Sequence, residues 1–210
     1  MTEQAITAAQ MRAKDQFTIN QIGIPSLVLM ERASLAVRDA ILTHYPAANK
    51  IVVVAGQGNN GGDGLAIARL LHVAGRGVAI LTIGNSAHAS SEHQTQAHIC
   101  DYYQIPVASD PALLKDADLI VDAIFGIGID RPVEGAYATV IKQVNAAHAP
   151  VVAVDVPSGI NTDTGAVMGV AVKADLTVTF AYNKTGLVTD QDQGQAYAGR
   201  VIVADDMGTY

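Results

Sequence analysis

Six short runs, rich in β-branched residues and apolar on both faces, recur from residue 51 onward: IVVVAG (51–56), VAILTIG (78–84), DLIVDAIFG (118–126), VVAVDV (151–156), LTVTFAY (176–182) and VIVA (201–204). Strands buried on both faces belong to a mainly parallel sheet covered by helices on either side. Helical spacing fills the intervals at 63–74, about 92–103 and about 134–147, and a shorter strand is expected over 105–107. The fold class that follows is α/β, a three-layer αβα sandwich of Rossmann-like type. Extra helices precede it. Thr7 with Gln10 forms a capping-box pattern, Pro25 suits a first helical position, and Leu27, Met30, Ser34, Val37 and Ile41 then recur at three- and four-residue steps until Pro46. With no internal repeat, low-complexity tract or Pro/Ser-rich linker, residues 1–210 are expected to form one domain.

Composition narrows the partners. A net charge of −7 argues against nucleic acid or an anionic membrane surface as the main partner. It leaves room for an anionic small molecule held by backbone N–H groups at a helix N-terminus. The single cysteine, Cys100, excludes an internal disulfide and suits a reducing cytosol. The first residues lack the apolar segment of a signal peptide, and no window reaches the roughly 18 uninterrupted apolar residues of a membrane span. A cytoplasmic location is the expectation.

In open α/β sheets, ligands bind beyond the carboxyl ends of the strands. Four segments stand there: GQGNNGGDG (56–64), FGIGIDRPVEG (125–135) after a strand containing Asp122, VPSGINTDTG (156–165) after Asp155, and AYNKTG (181–186). The first satisfies G-x-G-x-x-G in letters. The dinucleotide fingerprint also needs an acid at the end of the second strand, where TIGNSAHAS offers none before Glu92. The phosphate loop of ATPases needs Lys and Ser/Thr where Gly62 and Asp63 stand. A plain glycine-rich strand-to-helix turn capped by Asn and Asp is the remaining simple alternative. No G-x-S-x-G surrounds Ser158, and His93 and His98 are five residues apart, so neither a nucleophile elbow nor a zinc pair is indicated.

Taken together, GQGNNGGDGLAIARLL, DAIFGIGIDRPVEG, VVAVDVPSGINTDTG and ADLTVTFAYNKTGL resemble, in order and spacing, the YjeF N-terminal domain family, as does LMERAS in the early helix. Gln57 stands where proline is usual in that family and Ser34 where glycine is usual. The resemblance implies epimerisation of hydrated nicotinamide cofactors, since the family contains the NAD(P)H-hydrate epimerases. These interconvert the R and S forms of NADHX and NADPHX at C6 of the ring. A separate ADP- or ATP-dependent dehydratase, expected to be another polypeptide here, then processes the S form. Family members are commonly homodimers.

Carried over by position, the resemblance assigns substrate binding to Asn59, Asn60, Gly61, Gly62 and Asp63, to Gly126, Ile127, Gly128, Ile129, Asp130, Arg131 and Pro132, and to Asp155. It assigns potassium (K+) to Asn60, Asp122 and Ser158, whose amide, carboxylate and hydroxyl are hard oxygen donors suited to such an ion. The competing account of Asp122 is a carboxylate satisfied by loop N–H groups. Arg131 reads either as a phosphate partner or as a solvated surface residue, and Lys184 either as charge near the anion or as structure. Asp155 is the candidate catalytic residue: one carboxyl that protonates the departing hydroxyl and, ionised, deprotonates incoming water. Its alternative is ribose binding, with Asp63 and Asp130 as reserve acids. The rival from another class is a non-catalytic nucleotide-binding scaffold using the same pocket.

Overall fold

The structure, a computed structural model, describes residues 5–189 and 193–209. Seven strands form one sheet: β1 (Lys50–Ala55), β2 (Gly77–Thr82), β3 (Val107–Ala108), β4 (Leu119–Ala123), β5 (Val151–Val154), β6 (Leu176–Phe180) and β7 (Arg200–Ala204). Their order is β3-β2-β1-β4-β5-β6-β7, and every neighbouring pair is parallel. The chain runs outward from β1 to β3, then returns to β1's other side at β4. That reversal opens a crevice beyond the carboxyl ends of β1 and β4.

Alternation along the strands builds two cores. Val53 and Ala55 face one layer with Val37, Ile41, Leu65, Ile67, Leu71 and Cys100, supplied by α2 (Ser26–His44), α3 (Asn59–Val73) and α4 (Ser91–Tyr102). Val52 and Val54 face the other, with Val140, Ile141 and Val144 of α5 (Gly135–Ala146) and Leu114. Side chains alternate across a strand, so a run apolar at every position fills both layers. The three-layer α/β architecture expected from the runs is what forms.

The boundaries differ in instructive places. Pro25 is the cap before α2 rather than its first residue. The short strand expected at 105–107 lies at 107–108, because Ile105 and Pro106 turn the chain out of α4. Helix α3 begins at Asn59, four residues before the apolar periodicity starts. Ahead of the sheet, α1 (Ala8–Phe17) carries the capping box of Thr7 and Gln10, and Asp163 adds its carboxylate to the free N–H of Ala8 at 2.6 Å. A wider helical turn over Thr18–Ile22 follows. Two short helices, α6 (Thr185–Val188) and α7 (Gly194–Ala198), connect β6 to β7.

Candidate functional site

The crevice at the chain reversal is a cleft of about 660 Å³, within the range of small-molecule sites, roughly 300–1,000 Å³. Its floor is the end of β1 and the start of α3, where Gly58, Asn59, Asn60 and Asp63 line it; its walls are residues 124–128 and Asp155. α1 and α2 close the remaining side through residues such as Met11, Asp15 and Met30.

GQGNNGGDG is a tight strand-to-helix passage. Gly58 is extended and caps α3, so the first turn of that helix is NNGG, and Gly58, Asn59 and Asn60 bring its N-terminal end to the cleft. Gly61 is required by contact with the protein itself: a Cβ there would lie 1.9 Å from the Gly56 carbonyl oxygen. Gly56 is equally constrained, its Cβ position falling 2.2 Å from the Ile124 carbonyl oxygen. These glycines draw α3 hard against β1 and β4, and that closeness brings Asn59 and Asn60 to the cleft.

Asp155 follows β5 with φ of 68°, in the left-handed region where a side chain is strained. Val156 N donates to Val154 O at 2.9 Å, closing a three-residue turn around it. Ala181 repeats the arrangement at the end of the neighbouring β6, with φ of 60° and Tyr182 N donating to Phe180 O at 2.6 Å. The carboxyl so aimed is held on one oxygen. Asp155 Oδ1 is ion-paired with Lys184 Nζ at 2.8 Å and accepts hydrogen bonds from the Thr179 hydroxyl at 3.1 Å and from Phe180 N at 3.3 Å. The Lys184 side chain is fully buried and also donates to Thr179 Oγ1, Phe180 O and Tyr182 O at 2.8, 2.8 and 3.0 Å. Of the two readings open for Lys184, the fold shows it in a buried ion pair with Asp155.

Asp122, wholly buried on β4, lies beneath the wall. Ser158 N donates to its Oδ2 at 2.8 Å, Ser158 Oγ to its Oδ1 at 2.6 Å and Ile124 N to Oδ1 at 3.3 Å. Burial nevertheless pushes the carboxyl up to about 6, against these hydrogen bonds. Ser158 Oγ in turn accepts from Phe125 N at 2.9 Å and faces Phe125 O at 3.2 Å. The Asn60 amide reaches the same loop, close enough that a Cβ on Gly126 would be 3.2 Å from its Oδ1. Its Nδ2 is buried without a hydrogen-bond partner among the described residues. An amide with one unpartnered end, a buried carboxylate, a hydroxyl and a backbone carbonyl thus lie close together as potential oxygen donors. That fits a hard monovalent ion once the amide presents its oxygen. Among the described residues no group of three His, Cys, Asp or Glu could hold a metal, so a zinc-type site has no ligands.

The residues singled out in the sequence divide by position. Asn59, Asn60, Asp63, Gly126, Ile127, Gly128 and Asp155 line one cleft. Gly61 and Gly62 are buried behind it, packed on Gly56 and on Met30 and His93. Ile129 packs into the α5 layer, while Asp130, Arg131 and Pro132 stay exposed beyond the lining. Two cleft residues carry charge that periodicity alone did not flag. Arg12 lines the wall and donates from Nη2 to Ile127 O at 3.0 Å. Asp15 stands one helical turn further along α1. Both are functional-group residues on an amphipathic helix outside the strand ends, and only the tertiary placement of α1 brings them in.

The family model described as YjeF-related protein N-terminus matches residues 26–186. A protein of Limosilactobacillus fermentum (strain NBRC 3956 / LMG 18251), named NAD(P)H-hydrate epimerase, is 98% identical over 210 residues, covering 100% of each chain. One of Limosilactobacillus reuteri (strain DSM 20016), with the same name, is 66% identical over 211 residues, 100% of this chain and 99% of that one. Among solved structures, yeast ynu0, YNL200c, superposes with a TM-score of 0.81 at 25% identity, covering 90% of this chain and 86% of that one.

Proposed function

From its membership of the YjeF-related protein N-terminus family, to which the chain belongs, we infer that it is an NAD(P)H-hydrate epimerase, an isomerase acting on hydrated NADH and NADPH. Full-length similarity to relatives bearing that name supports the activity. For the residues that perform it, one observation carries most: an aspartate, strained and ion-paired, facing a cleft of small-molecule size at the chain reversal of a Rossmann-type sheet.

Epimerisation at C6 breaks one C–O bond and makes another without redox change. The ring N1 lone pair expels the hydroxyl as water once it is protonated, and water returns on the opposite face of the iminium. Asp155 serves as the acid/base at that carbon. The free N–H groups at the start of α3, with Asn59, Gly58 and the 126–128 loop, hold the anionic part of the dinucleotide, and Arg12 adds the cationic side chain that exposed Arg131 does not bring. Asn60, Asp122 and Ser158 would hold potassium, which would supply a counter-charge to the buried carboxylate. The S epimer passes to a separate ADP- or ATP-dependent dehydratase, and the enzyme works in the reducing cytoplasm as a homodimer.

Chromatographic separation of the epimers tests this directly. Purified chain with R-NADHX in potassium buffer should interconvert R and S well above the spontaneous rate. Asp155→Asn should lower turnover by about 100-fold or more while calorimetry still detects hydrate binding; near-normal turnover removes Asp155 from the chemistry. Exchanging potassium for tetramethylammonium should lower the melting temperature and weaken binding, and no change in either refutes the ion.

A further inference from the structure

Asp15 has no role in the reading above. It belongs to α1, ahead of the residues that the family model matches. Ties to distant parts of the chain fix that helix across the cleft. Ile6 N donates to Asn183 O at 2.9 Å and Thr185 N to Ile6 O at 3.1 Å, while Ala8 N and Arg12 Nη2 reach Asp163 and Ile127. Met11, Arg12, Asp15 and Ile19 then fall on one face of the helical run and line the cleft.

The Asp15 carboxyl is half-buried there, and no hydrogen bond or ion pair among the described residues holds it. A carboxyl kept for structure is normally bonded, because burying one without a partner costs stability. Asp155 supplies the contrast, with two hydrogen bonds and an ion pair on one oxygen. The charged groups that act on Asp15 are Asp155 from the end of β5, Lys184 before α6 and Asp63 from α3, while Arg12 on its own helix and His88 and Glu92 share the cleft lining. Asp15 therefore feels two other carboxyls and one ammonium, and that ammonium, Lys184, is already paired with Asp155. Burial first, then the Asp155 charge, raises Asp15 to about 6, with Lys184 offsetting only part.

Inversion at C6 sets a geometric demand. The hydroxyl departs from one face of the ring and water arrives at the other, so two proton transfers occur on opposite sides of one carbon. A single carboxyl cannot stand within hydrogen-bond reach of both positions without moving. We propose that Asp15 is the second acid/base of the epimerisation, acting from α1 on the ring face opposite Asp155; this rests on Asp155 acting at C6. In one direction, the Asp15 carboxyl gives its proton to the C6 hydroxyl. The C6–O bond breaks with its electron pair, releasing water, as the N1 lone pair forms the C6=N1 bond. A second water adds its oxygen lone pair to C6 from the other face, the π pair returns to N1, and the Asp155 carboxylate accepts the proton released. One water leaves, one enters, and one proton has moved from Asp15 to Asp155. That is the proton arrangement the opposite epimer requires, and exchange with solvent restores the first.

The experiment uses the full chain and R-NADHX, followed to the epimer mixture from pH 5 to 9, for the wild type, Asp15→Asn, Asp15→Glu and Asp155→Asn. Asp15→Asn should reduce kcat about 100-fold or more, with KM within about threefold. In the wild type the rate from the R side should fall as pH rises past the point where Asp15 loses its proton, and Asp15→Asn should lack that limb. Asp15→Glu should recover part of the rate with the limb present. Melting at neutral pH should be unchanged or higher in Asp15→Asn, since an unpaired charge is removed; if that variant fails to fold, Asp15→Glu carries the comparison. Asp15→Asn turnover within threefold of wild type with the alkaline limb intact overturns the proposal, and an inactive Asp155→Asn beside it leaves the Asp155 reading standing. Turnover that survives in Asp155→Asn but not in Asp15→Asn overturns the pair and the Asp155 reading together.

Discussion

Lys184 is the largest fully buried side chain among the described residues, a position rarely given to an ammonium. Its burial is sustained by Asp155 and three neutral oxygens at 2.8–3.0 Å. Removing one partner of such a pair leaves the other charge unpaired in a poorly solvated place. Lys184→Met should therefore cost about 3 kcal/mol, near the lower end for buried pairs because the Asp155 side chain keeps 12% exposure to the cleft. Adding Asp155→Asn should return most of that loss, so urea denaturation of the two single variants and the double variant measures the coupling; additive losses would show that the ion pair is energetically idle. The sequence placed Asp155 correctly at a strand end, because ligand-facing residues in this fold follow strands. It left Lys184 between two roles, since a left-handed turn at Ala181 folds AYNKTG back under the strand and no periodicity encodes that reversal.

At the scale of elements, the passage from β1 into α3 shows where pattern and structure part. Apolar spacing starts at residue 63, yet the helix starts at Asn59, because NNGG has poor intrinsic helix propensity and is helical through packing. The glycines are explained by neighbours far along the chain, the Ile124 carbonyl for Gly56 among them, and such contacts leave no local trace. Gly61→Ala should accordingly cost at least about 2 kcal/mol and disturb substrate binding, since Cβ meets backbone rather than a side chain that can yield. Gly58→Ala, with nothing within 4 Å of its Cβ, should stay within about 1 kcal/mol of wild type. Equal losses in the two variants, read by chemical denaturation, would mean that the loop's flexibility matters rather than its packing. The strands themselves were the most legible elements, because both-face burial demands unbroken β-branched runs.

For the whole molecule, the sheet and its two helical layers follow from patterning, whereas the side of the cleft built by α1 does not. A helix with a modest apolar face could dock in several places; hydrogen bonds to Asp163, Ile127 and the 183–185 segment select one. The same region carries exposed Phe17, Ile22, Leu27 and Val28, 37–51% accessible each, apolar side chains that the proposed homodimer would cover. Sedimentation should report twice the 21.8 kDa chain mass, and Val28→Asp should shift the population to monomer; a wild-type monomer at micromolar concentration would refute the homodimer. The docking of α1 has a temporal meaning as well. Asp15 emerges from the ribosome early, but the loop that positions its helix follows about 170 residues later, so a nascent chain carries an intact loop at β1 and no working cleft. The cleft is therefore completed late in synthesis, and a half-made chain presents α1 to solvent, or to a chaperone, until the 183–185 segment arrives.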